Sequence, residues 1–409
     1  MSESRPDAVF IGGYGTASVW LKADRYGKII DRMAIKDTAF EHWTSQFWNS
    51  DFTMPNEVSA MYRLRPLRGS ENVVRIRNWR MNKPQKRHRI YMEFCPFGSL
   101  RDVIVPHRRQ GGRPPVPFAW KFFEDLVVAG ILMERGDMHC NTLGNWSLLV
   151  HRDLKPDNIF LANNNSAEFR GYPKAKVGDW GLCVILSPDD KRTTRAFGLA
   201  SYQYNVPKEL VNPNLHGAAS GTNPQRLTSK SNVWQVAMVV WCYMKCEPNG
   251  DWDLRAFDYA TRREPADFNA QQRMHYGAAL CDLVMECLAY LPEERPSFDR
   301  ILKQIRRHTT SGRNDGAGGL RLASADDRRF GKYGLLLRKE RYPLRSMLQD
   351  ELRAEDIDGH IPPAIQHGPG DSDSSHSSDD FGGPAGASMV FPGLASPRAP
   401  NISPVTRNL

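Results

Sequence analysis

The chain has 409 residues, of which 40% are hydrophobic and 25% are charged, and its formal net charge at pH 7 is +9. This length exceeds that of an ordinary single-core domain and suits two lobes with an extension. No apolar run approaches the ~18 residues that a membrane-spanning helix needs, and residues 1–8 lack the apolar stretch of a signal peptide. We therefore expect an intracellular protein, cytoplasmic, nuclear or both, without a membrane partner.

The seven cysteines are odd in number, and no pair has the spacing of a zinc or redox motif. Cys242 and Cys246 could share a helix face inside a Trp- and Val-rich run. Buried structural thiols are nevertheless the favoured interpretation of this pair. The cysteines therefore fit an intracellular compartment and do not indicate a metal site.

Part of the positive charge is concentrated around Trp79. A basic patch that contains an aromatic residue could bind RNA or an acidic partner. No nucleic-acid motif accompanies the charge, so we favour a solvated loop between two strands and do not expect nucleic-acid binding. The basic residues concerned are Arg75, Arg77, Arg80, Lys83, Lys86, Arg87 and Arg89.

The hydrophobic pattern changes along the chain from strand-like to helical. In the strand-rich first part, one helix is expected over residues 56–64, with Pro55 near its start. Residues 233–244 are apolar nearly all round, which is typical of a buried helix. A β-rich part followed by an α-rich part predicts an α+β fold. Strands are expected at residues 8–11, 18–21, 32–35, 72–76 and 90–94, and further helices at 118–135, 278–288 and 298–308.

The composition changes after His308. Residues 362–400 are rich in Gly, Pro and Ser, and such a segment cannot bury enough apolar surface to offset its chain entropy. We therefore expect residues 309–409 to form a largely disordered tail, with a passive extension favoured over an autoregulatory or docking role. Within it, residues 328–355 carry Tyr and Leu among many charges and could form a helix or a docking peptide. Removal of residues 311–409 is expected to leave thermal stability nearly unchanged.

The strongest functional signal is the octapeptide HRDLKPDN at residues 151–158. It resembles the catalytic loop of eukaryotic-type serine/threonine protein kinases. The resemblance makes Asp153 the carboxylate that accepts or orients the proton of the substrate hydroxyl. An amide oxygen at Asn158 can reach a magnesium ion, and Lys155 can neutralise the moving phosphoryl group.

A second signal is VGDWGL at residues 177–182. By the same resemblance, Asp179 would chelate the Mg²⁺ that bridges the ATP phosphates. The family usually has Phe where this chain has Trp180. Because Trp is also large and apolar, we expect it to fill the same hydrophobic slot.

A third signal is MAIK at residues 33–36. It resembles the strand motif whose lysine holds the α- and β-phosphates of ATP, so Lys36 takes that role and Ala34 lies against the adenine. The partner carboxylate of the lysine is expected on the following helix. Glu57 is the best candidate and Glu41 is the runner-up.

The glycine-rich segment FIGGYGTA at residues 10–17 would let backbone N–H groups approach phosphates. With Tyr14 as the aromatic tip, Gly12 and Gly15 match the second and third glycines of the family. Phe10 then replaces the first glycine.

Residues 91–100 resemble the hinge between the two lobes of a kinase. Met92 would lie at the back of the adenine pocket, and Glu93 and Cys95 would offer backbone hydrogen bonds to adenine. The nucleotide site that the resemblance implies comprises Gly12, Gly13, Gly15, Ala34, Lys36, Glu93, Cys95 and Phe160.

Arg295 lies in a segment that resembles the late arginine motif of the family. It would pair with a carboxylate after the activation segment, and Glu209 is the candidate partner. Asn232 stands where the family has an aspartate that anchors the catalytic loop. This replacement loses a charge-assisted hydrogen bond but keeps an acceptor.

The motifs occur in family order and predict a kinase catalytic domain at residues 7–308, with a small β-rich N-lobe at 7–94 and a larger α-helical C-lobe at 97–308. The wording of the glycine-rich segment looks most like that of divergent fungal kinases. The resemblance implies ATP- and Mg²⁺-dependent phosphorylation of Ser or Thr in protein substrates. It also implies control by an upstream kinase or by autophosphorylation at Thr193 or Thr194, and a loop that is held open without phosphorylation is the alternative.

Two alternatives remain open. A pseudokinase would use the same fold as a non-catalytic binding scaffold, although Lys36, Asp153, Asn158 and Asp179 are all present. A small-molecule phosphotransferase of the aminoglycoside type usually lacks both the full catalytic loop and the late arginine motif.

Overall fold

The computed structural model describes residues 6–12, 15–39, 48, 53–139, 142–190, 207–210, 227–249, 265–310, 319–323 and 334–357. The first part of the chain forms a five-stranded antiparallel sheet in the order β1-β2-β3-β5-β4. Four of the five predicted strands lie in this sheet. The strands are β1 Pro6–Gly12, β2 Gly15–Ala23, β3 Ile29–Ala39, β4 Ile76–Asn82 and β5 Arg87–Glu93.

One helix, α1 Asn56–Leu64, accompanies this sheet. Its bounds agree with the predicted helix, and Pro55 precedes its first residue, where a missing N–H has no cost. Val58, Met61 and Leu64 follow one another at intervals of three residues and are all buried, as one helix face requires. The helix therefore packs through this face, and Glu57 lies at the same end as Pro55.

The rest of the chain is mainly helical. The central helix α3 is buried along most of its length, and it approaches α7 so closely that a Cβ at Gly130 would lie 2.4 Å from the Phe298 ring. It ends at Gly136, whose φ of 74° suits glycine. The helices are α2 Arg101–Arg109, α3 Val116–Arg135, α4 Ser229–Lys245, α5 Ala270–Tyr276, α6 Ala278–Cys287, α7 Phe298–Thr310 and α8 Leu348–Ile357.

Two short antiparallel strand pairs hold the loops that carry the sequence motifs. Strand β6 Leu148–Val150 pairs with β9 Val184–Leu186, and β7 Ile159–Ala162 pairs with β8 Lys174–Val177. Residues 151–158 connect β6 to β7, and residues 178–183 connect β8 to β9. The pairing therefore brings both motif loops to the same end of these strands.

The predicted strand at residues 72–76 is wrong. Gly69 has a φ of 95° and starts a 3₁₀ turn at Ser70–Asn72, where the Asn72 side chain donates to the Gly69 carbonyl. Such local side-chain bonds compete with a strand. Only Val73 makes an isolated bridge, with Val177, before β4 begins at Ile76.

The basic residues around Trp79 lie mostly on β4 and β5 rather than in a loop. Arg77 forms an ion pair with Asp31 at 2.8 Å, and Arg89 forms one with Asp37 at 2.7 Å. Part of the positive charge of this basic patch is therefore neutralised by carboxylates of the same sheet.

The expected tail is ordered in part. Residues 334–348, which we call the strap, contact α2 and then the first sheet, and Tyr342 of the strap is fully buried. The 3₁₀ turn Leu320–Leu322 also contacts the helical part, where Arg321 bonds Glu124 and Glu168. The expected disorder therefore does not hold for residues 319–323 and 334–357. The expectation for residues 358–409 lies outside the described residues.

The described helices include none with the length and apolar content of a membrane span. Cys242 is buried and Cys246 is partly buried.

Candidate active site

Lys36 lies between two carboxylates. From β3, its Nζ is 2.8 Å from Glu57 Oε1 on α1 and 2.6 Å from Asp179 Oδ1 after β8. Three separate segments of the chain therefore meet at this ammonium group. Glu57 is the partner that the sequence favoured, and Glu41 lies outside the described residues.

The charges of this trio are set by burial and by their mutual attraction. Burial alone would lower the pKa of Lys36, but the negative charges of Glu57 and Asp179 outweigh burial and raise it. The pKa of Asp179 is lowered because Lys36 overcomes the effect of burial. Burial raises the pKa of Glu57, although Lys36 and the Trp180 backbone N–H act against it. Lys36 and Asp179 are therefore charged at neutral pH.

Asp179 adopts an unusual backbone conformation, with a φ of 57°. Left-handed backbone at a non-glycine residue is a recognised source of strain at functional sites. The next glycine, Gly181, lies near the trio, since a Cβ there would be 3.5 Å from Lys36 Nζ. The tight turn therefore aims the Asp179 carboxylate at the lysine.

The catalytic-loop residues are held by one another. Asn158 Nδ2 donates to the Asp153 carboxylate at 2.9 Å and to the Asp153 carbonyl at 2.8 Å. Lys155 Nζ lies 3.2 Å from the same carboxylate oxygen. The two donors fix the direction of the Asp153 carboxylate. The sequence placed all three residues in one site, and the structure brings them together.

His151 connects the two motif loops. Its Nε2 lies 3.1 Å from the Gly178 carbonyl, and its Nδ1 accepts the Asp153 N–H at 3.3 Å. This pattern fits a neutral ring with its proton on Nε2. Burial lowers the pKa of His151, which also favours the neutral ring. Asn232 accepts the His151 N–H at 3.1 Å and donates to Leu149 at 2.7 Å. Asn232 therefore anchors the loop as the sequence predicts.

Trp180 fills an apolar slot under the site. Its side chain is fully buried, and its ring centroid lies 4.7 Å from that of His151. The prediction that Trp serves as the large apolar group is confirmed in this respect. The indole N–H of Trp180 has no hydrogen-bond partner among the described residues, which is an added cost of Trp at this position.

Asn158 and Asp179 offer oxygen ligands of the kind that Mg²⁺ prefers. The Asn158 amide nitrogen is directed at Asp153, which leaves the amide oxygen for a cation. Asp179 uses Oδ1 toward Lys36, and its side chain is 41% exposed, so its second oxygen can be reached from solvent. The donor set therefore fits a magnesium ion.

The expected nucleotide residues lie on adjoining strands. Ala34 is opposite Met92 in the β3–β5 pairing. Glu93 uses its backbone N–H toward the Arg75 carbonyl at 2.9 Å, so only its carbonyl can serve adenine. Cys95 follows β5, and within the described chain nothing accepts its backbone N–H.

Phe160 lies on β7, where it forms a bridge with Ser99. It also lies close to the motif loop, because a Cβ at Gly178 would be 2.8 Å from the Phe160 ring. Gly12 ends β1 and Gly15 begins β2, and Gly13 lies outside the described residues.

Arg295 and Glu209 form a buried ion pair, as the sequence predicted. Their side chains are 0% and 2% exposed, with Arg295 Nη2 3.2 Å from Glu209 Oε2. Ser231 adds a hydrogen bond to the same carboxylate at 3.0 Å. The pair ties the segment after residue 206 to the helical lobe.

Sequence reasoning missed two features beside the hinge. Lys176 Nζ lies 2.8 Å from Glu93 Oε1, and the Arg341 N–H donates to the Pro96 carbonyl at 3.1 Å. Arg341 belongs to the strap. The only signal for the strap was the Tyr and Leu content of residues 328–355.

Comparison with known proteins agrees with this geometry. The protein kinase domain model matches residues 11–305, and the chain belongs to the protein kinase domain family. The G2-specific protein kinase nimA of Emericella nidulans is 24% identical over 293 residues, 65% of this chain and 38% of the relative. The G2-specific protein kinase fin1 of Schizosaccharomyces pombe is 24% identical over 242 residues, 57% of this chain and 30% of the relative.

A structural match supports the same fold. A chain in the structure of the CAK complex from Chaetomium thermophilum bound to ATP-gamma-S matches with a TM-score of 0.50 and 19% identity. The match covers 74% of this chain and 90% of that chain. The chain thus has the α+β kinase fold, while it spans well under half the length of the two curated relatives.

Proposed function

We propose that this chain transfers the γ-phosphoryl group of ATP to Ser or Thr residues of protein substrates. The observation that carries the proposal is the double contact of Lys36 with Glu57 and Asp179. A lysine held between two carboxylates has a fixed position and a permanent charge, which is what binding of a polyphosphate requires. The relatives nimA and fin1 are both G2-specific protein kinases, which supports the same proposal.

The reaction follows from the roles of the chain's own residues. The substrate hydroxyl oxygen forms a bond to the γ-phosphorus, the bond from that phosphorus to the β–γ bridging oxygen breaks, and ADP leaves. The Asp153 carboxylate, oriented by Asn158, accepts the hydroxyl proton. Lys155 stabilises the charge of the moving phosphoryl group, and Lys36 holds the phosphates of the nucleotide.

Magnesium has a defined place in this proposal. Asn158 and Asp179 would hold the ion, which supplies charge neutralisation at the phosphates. The lowered pKa of Asp179 keeps that carboxylate ionised and ready for a cation.

Ser/Thr specificity rests on the resemblance of Lys155, since tyrosine kinases usually differ at this position. Control would act through Arg152, which is 1% exposed and has a φ of 70°. Phosphorylation at Thr193 or Thr194 is proposed to raise activity through this arginine. Both threonines lie outside the described residues. The test compares the activity of untreated wild type, phosphatase-treated wild type and Thr193→Ala/Thr194→Ala. Equal activity in all three samples would contradict control by phosphorylation at these threonines.

The experiment for the whole proposal is a phosphotransfer assay on Asp153→Asn beside Asp157→Asn. Asp153→Asn removes the proton acceptor and is expected to lower the rate by a factor of about 10² or more. Asp157 is a neighbour in the same loop and is not assigned to chemistry. A wild-type protein that binds Mg²⁺-ATP and transfers nothing would favour the pseudokinase scaffold.

A further inference from the structure

The strap begins on the helical lobe. The Leu336 N–H donates to His107 Nε2 at 3.1 Å, and Arg338 Nη1 lies 3.4 Å from Asp102 Oδ1. Both acceptors belong to α2, and Leu335 and Leu337 pack on the main core. The first half of the strap is therefore attached to the C-lobe.

The strap then passes the hinge. The Arg341 N–H donates to the Pro96 carbonyl at 3.1 Å. The Tyr342 ring is fully buried, with its centroid 5.9 Å from that of Phe94. The guanidinium groups of Arg32 and Arg341 lie 5.7 Å and 5.9 Å from the centre of the Phe94 ring. The residues on both sides of Cys95 are thus in contact with the strap.

The strap ends on the first sheet. The Ile29 N–H donates to the Ser346 carbonyl at 2.9 Å, and the Arg345 N–H returns a bond to the Ile29 carbonyl at 2.8 Å. The Leu348 N–H donates to the Gly27 carbonyl at 2.9 Å. These backbone bonds extend the β2–β3 connection by an added segment, and they fix the register of the strap.

Arg32 of β3 is the main anchor. Its side chain is 10% exposed, and it donates to the Arg341 carbonyl at 2.8 Å, the Tyr342 carbonyl at 2.6 Å and Glu340 Oε1 at 2.8 Å. Without the strap this guanidinium would lose all three acceptors. This arginine differs from one in a surface ion pair, because loss of the strap acceptors would leave its buried donors unsatisfied.

A single oxygen of Glu340 joins the two lobes. Glu340 Oε1 accepts from Arg32 in the N-lobe and from Asn163 Nδ2, at 3.2 Å, at the end of β7 in the C-lobe. Contacts with a single lobe would be enough for a tail that only stabilised the fold. This carboxylate instead loses one of its donors if the lobes move apart.

We propose that the strap braces the two lobes across the hinge, with Glu340 as a positioning residue for the adenine side of the nucleotide site. The inference rests on the proposed function, because that function assigns the backbone of Glu93 and Cys95 to adenine binding. Hinge motion changes the backbone angles of a few residues. The strap contacts those residues and both lobes, so it favours one lobe arrangement and lowers the cost of ordering the hinge when nucleotide binds.

The test compares Glu340→Ala, Glu340→Gln and Asp350→Asn in the full chain. Asp350 is an exposed acid of α8 and serves as the matched control. Hydrogen exchange of residues 93–100 is measured without nucleotide, and the half-saturating Mg²⁺-ATP concentration and kcat are measured in the phosphotransfer assay. Exchange of the hinge does not depend on catalysis, so it reports on the brace even if the proposed function fails.

We expect Glu340→Ala to speed exchange at residues 93–100 and to raise half-saturating Mg²⁺-ATP by about three- to tenfold, with kcat within about twofold. Glu340→Gln keeps an acceptor oxygen and should show a smaller effect of the same kind, while Asp350→Asn should match the wild type. Equal hinge exchange in Glu340→Ala and Asp350→Asn would overturn the brace. So would loss of kcat with unchanged half-saturation, since that result points to a different role.

Discussion

Lys36 and Asp179 are 143 residues apart in the chain, yet Lys36 Nζ lies 2.6 Å from Asp179 Oδ1. The lysine comes from the sheet and the aspartate from a turn below it, so the contact links the two lobes through the site itself. Glu57 occupies the other side of the ammonium group at 2.8 Å. The position of the lysine therefore depends on α1 as well as on the turn at residues 178–183.

Glu57→Gln should slow phosphotransfer without unfolding the protein. The amide can still accept one hydrogen bond from Lys36, but the negative charge that attracts the ammonium group toward α1 is lost. We expect a fall in rate of about tenfold or more. Steady-state rates and thermal unfolding are compared with those of Glu71→Gln, an exposed acid near α1. A folded Glu57→Gln protein with the wild-type rate would show that α1 does not position Lys36.

Arg295→Met should destabilise the fold strongly. Removal of the arginine leaves the Glu209 carboxylate buried, with Ser231 as its one remaining side-chain partner in the part of the chain that the structure describes. Breaking one side of a buried pair costs about 3–5 kcal/mol. The control is Arg300→Met in the exposed pair with Glu286, whose side chains are 60% and 31% exposed, and which should cost less than about 1 kcal/mol. Denaturant unfolding measures both variants, and equal losses would contradict the assignment.

Stability should fall as pH decreases from about 6.5 to 4, partly because of His107. Burial lowers the pKa of His107 from 6.5 to about 4 in the folded protein. The unfolded chain then binds the proton more tightly, so acid favours unfolding by up to about 3 kcal/mol once the difference is fully developed. His88, whose pKa burial also lowers to about 4, acts in the same direction.

His107→Gln should reduce this pH dependence. Glutamine does not titrate, and its oxygen can still accept the Leu336 N–H. The free energy of unfolding is measured at pH 7 and pH 5 for His107→Gln and for the exposed control His139→Gln. The loss between the two pH values should be smaller for His107→Gln than for the control. If both proteins lost the same free energy of unfolding between pH 7 and pH 5, the lowered pKa of His107 in the folded protein would be contradicted.

Removal of residues 311–409 should lower the melting temperature, in contrast to the expectation from composition. The deletion takes away Tyr342, which packs on Ile29 and neighbouring apolar residues, and it leaves Arg32 without its strap acceptors. Loss of one buried aromatic side chain alone costs about 3 kcal/mol or more, which corresponds to about 5 °C or more. Deletion of residues 358–409 should change the melting temperature little, because their Gly-, Pro- and Ser-rich composition does not favour a packed core. Equal melting temperatures for both deletions would contradict the packing of the strap.

The motif residues could be predicted from the sequence because short local elements position them. Residues 151–158 and residues 178–183 each connect two short strands, so their spacing in the chain sets their spacing in the site. The Arg295–Glu209 pair could be proposed because both residues stand in recognisable segments. The burial of Trp180 followed from its size, but its unpaired indole N–H did not, since that depends on which acceptors surround it.

The strap could not be predicted because its partners are remote in the chain. Arg32 and Glu340 are 308 residues apart, and nothing in the local pattern of either segment specifies the other. The mixed charges of residues 334–341 are typical of a solvated segment when taken alone. The strand predicted at residues 72–76 does not form because of a local feature, the left-handed turn at Gly69. The apolar residues Val73 and Val74 favoured a strand in the sequence pattern.

The most direct test of the kinase assignment is transfer of radiolabelled γ-phosphate from ATP to a basic protein substrate. Lys36→Met and Asp179→Asn are compared with the exposed controls Lys28→Met and Asp189→Asn. Wild type and both controls should transfer phosphate only with Mg²⁺ present. Thermal unfolding is used to verify that Lys36→Met and Asp179→Asn are folded. Both variants should transfer phosphate more slowly than the wild type by a factor of about 10² or more. Wild-type rates in both site variants would contradict the roles assigned to Lys36 and Asp179.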